Sequence, residues 1–169
     1  MVPGMSDKPI SLRDVVGELS MLPEEAHVYL DKVTGTFIGI TDSQFAAAES
    51  GEPLDAHPDW ERDILAAARE VETTGRYVAL PDSSQINEFN IMERYCYSLD
   101  DLGLRDELLR AISGRGAFRM FRDVVRRHGL LETWYVYRDE ALTEIARSWL
   151  QDNGISFIDD MVSDGTKDT

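Results

Sequence analysis

The chain has 169 residues, 43% of them hydrophobic and 29% charged, with a single cysteine and a net charge of −15. That length suits one domain with a real core, and one cysteine excludes an internal disulfide framework and fits a reducing cytoplasm. Strong acidity argues against a general binder of nucleic acid or of an anionic membrane surface, because both partners are themselves negative.

The charge is unevenly placed. Residues 1–99 carry 7 basic and 18 acidic side chains, a net of −11, whereas residues 100–150 carry 9 of each. Residues 151–169 carry 1 and 5, a net of −4. Any anion binding must therefore be local. No apolar run approaches the roughly 18 residues that suggest a membrane span. The opening MVPGMSDKPI lacks the basic start and apolar stretch of a signal peptide.

In chain order, residues 1–9 read as a flexible lead-in and Ser11–Leu19 as a short helix with Leu12, Val15, Val16 and Leu19 on one side. HVYLDKVTGTFIGIT predicts a hairpin: Val28 and Leu30 share one face, and Gly35 supplies the left-handed residue of a bulged turn. Asp42 or Ser43 is expected to cap a brief helix through Glu49. A longer helix follows over 58–72, with Trp60, Ile64, Leu65 and Ala68 on its apolar side. Tyr77–Leu80 is short and β-prone, which predicts a third strand.

From Asp82 the signal is helical. Asp82 or Ser84 can cap a helix whose apolar positions are Ile86, Phe89, Met92 or Tyr95, and Leu99. A second helix begins at Asp101 or Leu104 and stops at Ser113-Gly114. An arginine-rich helix runs over about 116–128 and ends at Gly129, and a last one spans about 132–152. Ile155–Ile158 reads as a fourth strand or a packed tail. The expected architecture is α+β: residues 10–158 form one domain with a small antiparallel sheet followed by a helical half, and residues 159–169 form an acidic disordered tail.

The segment RAISGRGAFRMFRDVVRRHG gathers six arginines and one acid. At about 100° per residue, Arg115, Arg119, Arg122 and Arg126 fall within an arc of about 60°. Ala117, Phe118, Phe121, Val124 and Val125 fall on the opposite, buried side. Like charges three or four residues apart cost a helix roughly 0.2–0.5 kcal/mol per pair, so good packing can carry the stripe. Three readings compete: a solvated face loosely paired with acids of the first half, a face that docks an acidic protein surface, and a face that contacts phosphates of nucleic acid or a small ligand. Ser113-Gly114-Arg115-Gly116 fits a helix junction and is no nucleotide fingerprint, since no strand precedes it.

GRGAFRMFRDVV resembles the hallmark segment of a bacterial family, the uncharacterised protein family 0158, whose members typically read G-[KR]-G-A-F-[KR]-x-F-[KR]-D there. YLDKVTGTFIGI is similar to the family's hairpin, Ile91-Met92-Glu93 to its Ile-Met-Glu helix, and WYVYRDEALTEIARSWLQDNGI to its aromatic helix and ending. Together these segments cover roughly residues 10 to 158. The resemblance implies the α+β fold and marks the arginine segment as a family feature, and it implies no activity.

The sequence supplies no catalytic residue, metal site or cofactor requirement. His57, Asp59, Glu61 and Asp63 suit an acidic first turn better than a metal site. Cys96 between Tyr95 and Tyr97 reads as buried, and His128 as a core or helix-end residue. Trp134, Tyr135 and Arg138 are heavier than one helix seam requires and form a candidate interface, including one with a second copy of the chain. The favoured reading is a cytoplasmic binding or regulatory module with an arginine face; an enzyme site at the sheet using His27, Tyr29 or Asp31 is the alternative of a different class. The acids of 151–169 are a candidate mask for the arginines.

Overall fold

In the computed structural model, which describes residues 9–161, the front of the chain folds as its alternation demands. Strand β1 (Ile10–Ser11) leads directly into helix α1 (Leu12–Ser20). Ser11 caps that helix by accepting from the Asp14 N–H, and Leu12, Val15, Val16 and Leu19 are buried. The hairpin follows as β2 (Ala26–Asp31) and β3 (Thr36–Thr41), paired antiparallel with Leu30 opposite Phe37. The Gly35 N–H donates to the Asp31 carbonyl at 2.8 Å, and Gly35 itself has φ +75°, which a side chain would strain.

The Asp31 carboxylate does more than close the turn. It accepts from the Val33 N–H at 2.9 Å and takes both Nε and Nη2 of Arg76, at 2.8 and 2.7 Å. Burial alone would push this carboxyl up, but the Arg76 guanidinium and the turn donors outweigh it and hold it down at about 2. Arg76 stands beside β4 (Tyr77–Ala79), so the pair bolts the third strand to the second.

Helices α2 (Asp42–Glu49) and α3 (Asp59–Thr73), with a 3-10 turn at Leu54–Ala56 between them, cover one face of the three-stranded sheet. Ile40, Ala48, Leu65, Ala67 and Ala68 form that smaller core, against which Tyr29, Ile38 and Tyr77 pack. Val28, Leu30, Phe37 and Val78 point the other way, into the main core. The sheet is thus the middle of three layers. Two local expectations change here. Thr41, not Asp42 or Ser43, caps α2 in a box with Gln44, and Trp60, in the first turn of α3, is two-thirds exposed while Leu65, Ala67 and Ala68 take the buried side.

The main layer contains α4 (Ser83–Ile86), α5 (Glu88–Ser98), α6 (Leu102–Ala111), α7 (Ala117–Arg127) and α8 (Leu131–Asp152). The single helix expected after Asp82 is divided. Asn87 takes the left-handed conformation, φ +53°, ending α4 and capping α5 through its side-chain oxygen. The break turns the next residues, so Ile91 is buried and Phe89 is exposed, the reverse of a continuous helix. Long α8 packs against α1, α5 and α7. The Trp149 indole N–H donates to the Ala79 carbonyl at 2.8 Å, tying α8 to the sheet.

β5 (Phe157–Ile158) lies parallel to β1, a pair that joins the two ends of the described chain. The ordered chain continues past the expected boundary at 158. Asp160 accepts from the Ser11 hydroxyl and, at 2.8 Å, from the Arg13 N–H, while Asp159 pairs with Arg147 at 2.7 Å. The rest of the expected tail, and the lead-in before Pro9, lie outside the described residues.

Candidate docking cleft and arginine face

Helix α7 owes its position to a buried seam of Phe121, Val124 and Val125. Gly116, at φ +68°, swings the chain into the helix and supplies no side-chain cap. Arg115 precedes that turn, so its angle on the wheel does not apply; it is an exposed loop residue flanking the stripe. Arg119, Arg122 and Arg126 are helical and exposed. Phe118, expected on the buried side, is 56% exposed. It sits at the edge of the apolar arc, four residues before Arg122, and the core is already filled by Phe121.

The described cations fall into two groups by charge environment, and Lys32, Arg94 and Arg110 share with these arginines the lack of a carboxylate partner. Arg62, Arg76, Arg127, Arg138 and Arg147 each meet a carboxylate within 3.4 Å. Among the described residues, Arg115, Arg119, Arg122 and Arg126 meet none. The loose pairing with first-half acids expected of a solvated face is not found. Nor do the ordered acids after 158 cover it, since Asp159 goes to Arg147 and Asp160 to the start of α1.

A cleft of about 290 Å³ opens beside this stripe, where the end of α1, the start of α5, and the first halves of α7 and α8 converge. Its aromatic walls are Phe118, Phe121, Trp134 and Tyr135, with Met92 also lining it and Arg122 contributing from α7. Behind the walls, Tyr95, Phe121, Trp134 and Tyr137 meet edge-on, with ring centroids 4.8–6.1 Å apart. The Tyr95 hydroxyl is buried there without a hydrogen-bond partner. Arg138 ties the site together: its Nε donates to the Glu88 carboxylate and its Nη2 to the Ser20 carbonyl at 3.2 Å.

The three residues read as a candidate interface therefore have different roles. Trp134 is 6% exposed and forms a wall of the cleft. Arg138 is spent on Glu88 and Ser20. Tyr135 alone of the three is an exposed ring, at 47%. Glu88 and Ser20 were missed by sequence reasoning, because only the turn at Asn87 and the crossing of α1 over α8 bring them here.

A family profile decides what the chain is similar to: that of the uncharacterised protein family UPF0158 matches residues 7–166. The chain belongs to this family. No curated protein and no solved structure matches it significantly. The family segments noted in the sequence meet at the cleft: Met92 from Ile-Met-Glu, Phe118, Phe121 and Arg122 from the arginine segment, and Trp134, Tyr135 and Arg138 from the aromatic helix.

The sheet presents a different cleft, about 310 Å³, between Leu22–Tyr29 and Ala79–Gln85. His27 and Tyr29 line it, but Asp31 does not, being locked to Arg76 at the other end of the strand. The His27 imidazole meets the Asp42 carboxylate at 3.0 Å, and both side chains are more than half exposed. His57 is held between Glu52 and Glu61 at 3.2 and 3.0 Å, pinning the turn before α3. Among the described residues, no group of three or more metal-ligating side chains is arranged to hold an ion. Cys96 is fully buried, and burial pushes its thiol up to about 11, so it is protonated at neutral pH. His128 ends α7 exposed, its imidazole 2.9 Å from Glu107. No helix among the described residues is long and apolar enough to cross a membrane.

Proposed function

We propose that this chain is a non-catalytic, cytoplasmic binding module that docks an acidic protein surface on the arginine face of α7. One observation carries the reading. In a chain with 32 acidic side chains, Arg119, Arg122 and Arg126 project from one helix without a carboxylate partner, and Arg115 flanks them in the same state. Arginine left unpaired amid excess acid is available for bidentate, charge-assisted contact with carboxylates. The net charge of −15 disfavours an acidic partner over most of the surface, so charge favours this face and orients the partner on it.

The test uses two polyanions, poly-glutamate and an RNA duplex, titrated against the whole protein at several salt concentrations. Poly-glutamate is expected to bind, to weaken as salt rises, and to be lost in an Arg119→Glu/Arg122→Glu variant that keeps its unfolding midpoint. Tighter binding of the duplex, with a log–log salt slope of about −0.9 per neutralised phosphate, would transfer the face to nucleic acid. Binding of neither at low ionic strength would remove the proposal.

A further inference from the structure

The arginine face does not end in bare helix surface. Its exposed aromatic neighbour, Phe118, shares a side of α7 with Arg122 one turn later, and both line the cleft beneath. On the far wall, Tyr135 offers a second half-exposed ring. Phe118 and Tyr135 leave apolar area uncovered at the mouth of this cleft. The cleft's own charges are already neutralised where Arg138 meets Glu88, so Arg122 is the lining cation left without a carboxylate. Two half-exposed rings, Phe118 and Tyr135, beside an unpaired guanidinium in an otherwise polar cleft define an occupant with one apolar group and an anionic group close together.

We infer that the cleft between α5, α7 and α8 anchors one large apolar side chain of an acidic peptide segment, while carboxylates flanking that side chain pair with Arg122 and Arg119. The inference rests on the acidic-partner reading of the arginine face and supplies what that reading lacks, a determinant of which acidic segment is accepted. The size fits. A cavity of about 290 Å³ admits a Leu or Phe side chain, and is at the small end for a free drug-sized ligand. The spacing fits as well. Arg119 and Arg122 are separated by about 4.5 Å along the helix and Arg122 and Arg126 by about 6 Å, while alternate residues of an extended chain stand about 6.6 Å apart. Alternate acids on one side of the anchor, which share its face, therefore reach successive arginines. The division of labour is that of a hot spot: a desolvated apolar anchor supplies affinity and a charged rim supplies orientation and rate.

The experiment measures anisotropy of three fluorescein-labelled peptides against the full chain: alternating Glu and Gly with a central Phe, the same peptide with Ala for Phe, and the Phe peptide with Gln for Glu. The first is expected to bind at least ten-fold more tightly than either of the others. Phe118→Ala and Tyr135→Ala, both at half-exposed positions, should abolish the preference for Phe while keeping salt-dependent binding of the acidic peptides. Arg119→Glu/Arg122→Glu should remove the salt-dependent part. Equal binding of the Phe and Ala peptides would overturn the anchor and leave the arginine face standing. Binding of the Phe peptide that ignores both glutamates and arginines would overturn the acidic reading as well.

Discussion

The two ends of the molecule use arginine in opposite ways. At the sheet, three arginines are committed: Arg76 to Asp31 and Glu70, Arg62 to Asp59, and Arg69 to the Ala48 and Glu52 carbonyls. On α7 the three helical arginines of the stripe meet no acid among the described residues. Acids are plentiful in both halves, so the difference lies in placement. A guanidinium enclosed by turns and strand ends is an internal fastener; one standing on an open helix beside an aromatic cleft is a surface waiting for charge.

The comparison is broken most directly at Asp31. Asp31→Asn keeps the shape but leaves Arg76 without its buried counter-charge, and is expected to cost about 3 kcal/mol in urea unfolding. A loss below about 0.5 kcal/mol would place the sheet pair in the same class as ordinary surface pairs. The pH dependence follows from the same carboxyl. Its folded value is depressed to about 2 from the usual 3.8, so its contribution is fully present above about pH 4 and is lost as pH falls toward 2. That depression corresponds to about 2 kcal/mol, and the acid limb of stability should flatten by that amount in Asp31→Asn.

A smaller effect is expected at the aromatic wall. Tyr95→Phe removes a buried hydroxyl without a partner while keeping the ring in its cluster, and should raise stability by about 1 kcal/mol. Loss of stability instead would show that the hydroxyl is satisfied in solution. Smallest of all, Arg119→Gln/Arg126→Gln should leave the unfolding midpoint unchanged or slightly raised, because only like-charge neighbours are relieved. A marked fall would mean that the stripe, like Arg76, is a fastener.

Much of the fold could be read along the chain because its signals are local. Alternation and Gly35 mark the hairpin, Asp82-x-x-Gln85 marks a helix start, and the spacing of Phe121, Val124 and Val125 marks the seam of α7. A strand at 155–158 was among the expectations, but its parallel pairing with Ile10–Ser11 was not, because two residues at each end find each other only when everything between them has packed. The division at Asn87 was hidden because asparagine is an ordinary residue until it adopts a left-handed turn. The arginine stripe was legible, but Phe118, expected to anchor the buried side, is exposed because Phe121 already fills the seam. The cleft was not, because Ser20, Glu88, Phe118 and Tyr135 belong to four different helices.

The clasp between the chain ends also bears on the cleft. Ser11 and Asp160 are 149 positions apart, and Ile10 pairs with Phe157. The start of helix α1, capped by Ser11 itself, is thus also held by a residue 149 positions later in the chain. The far end of α1, Ser20, is the carbonyl on which Arg138 rests. The clasp and the cleft therefore share helix α1: one end of it is tied to the far end of the described chain and the other to Arg138, so loosening the clasp is expected to reach the cleft through that helix.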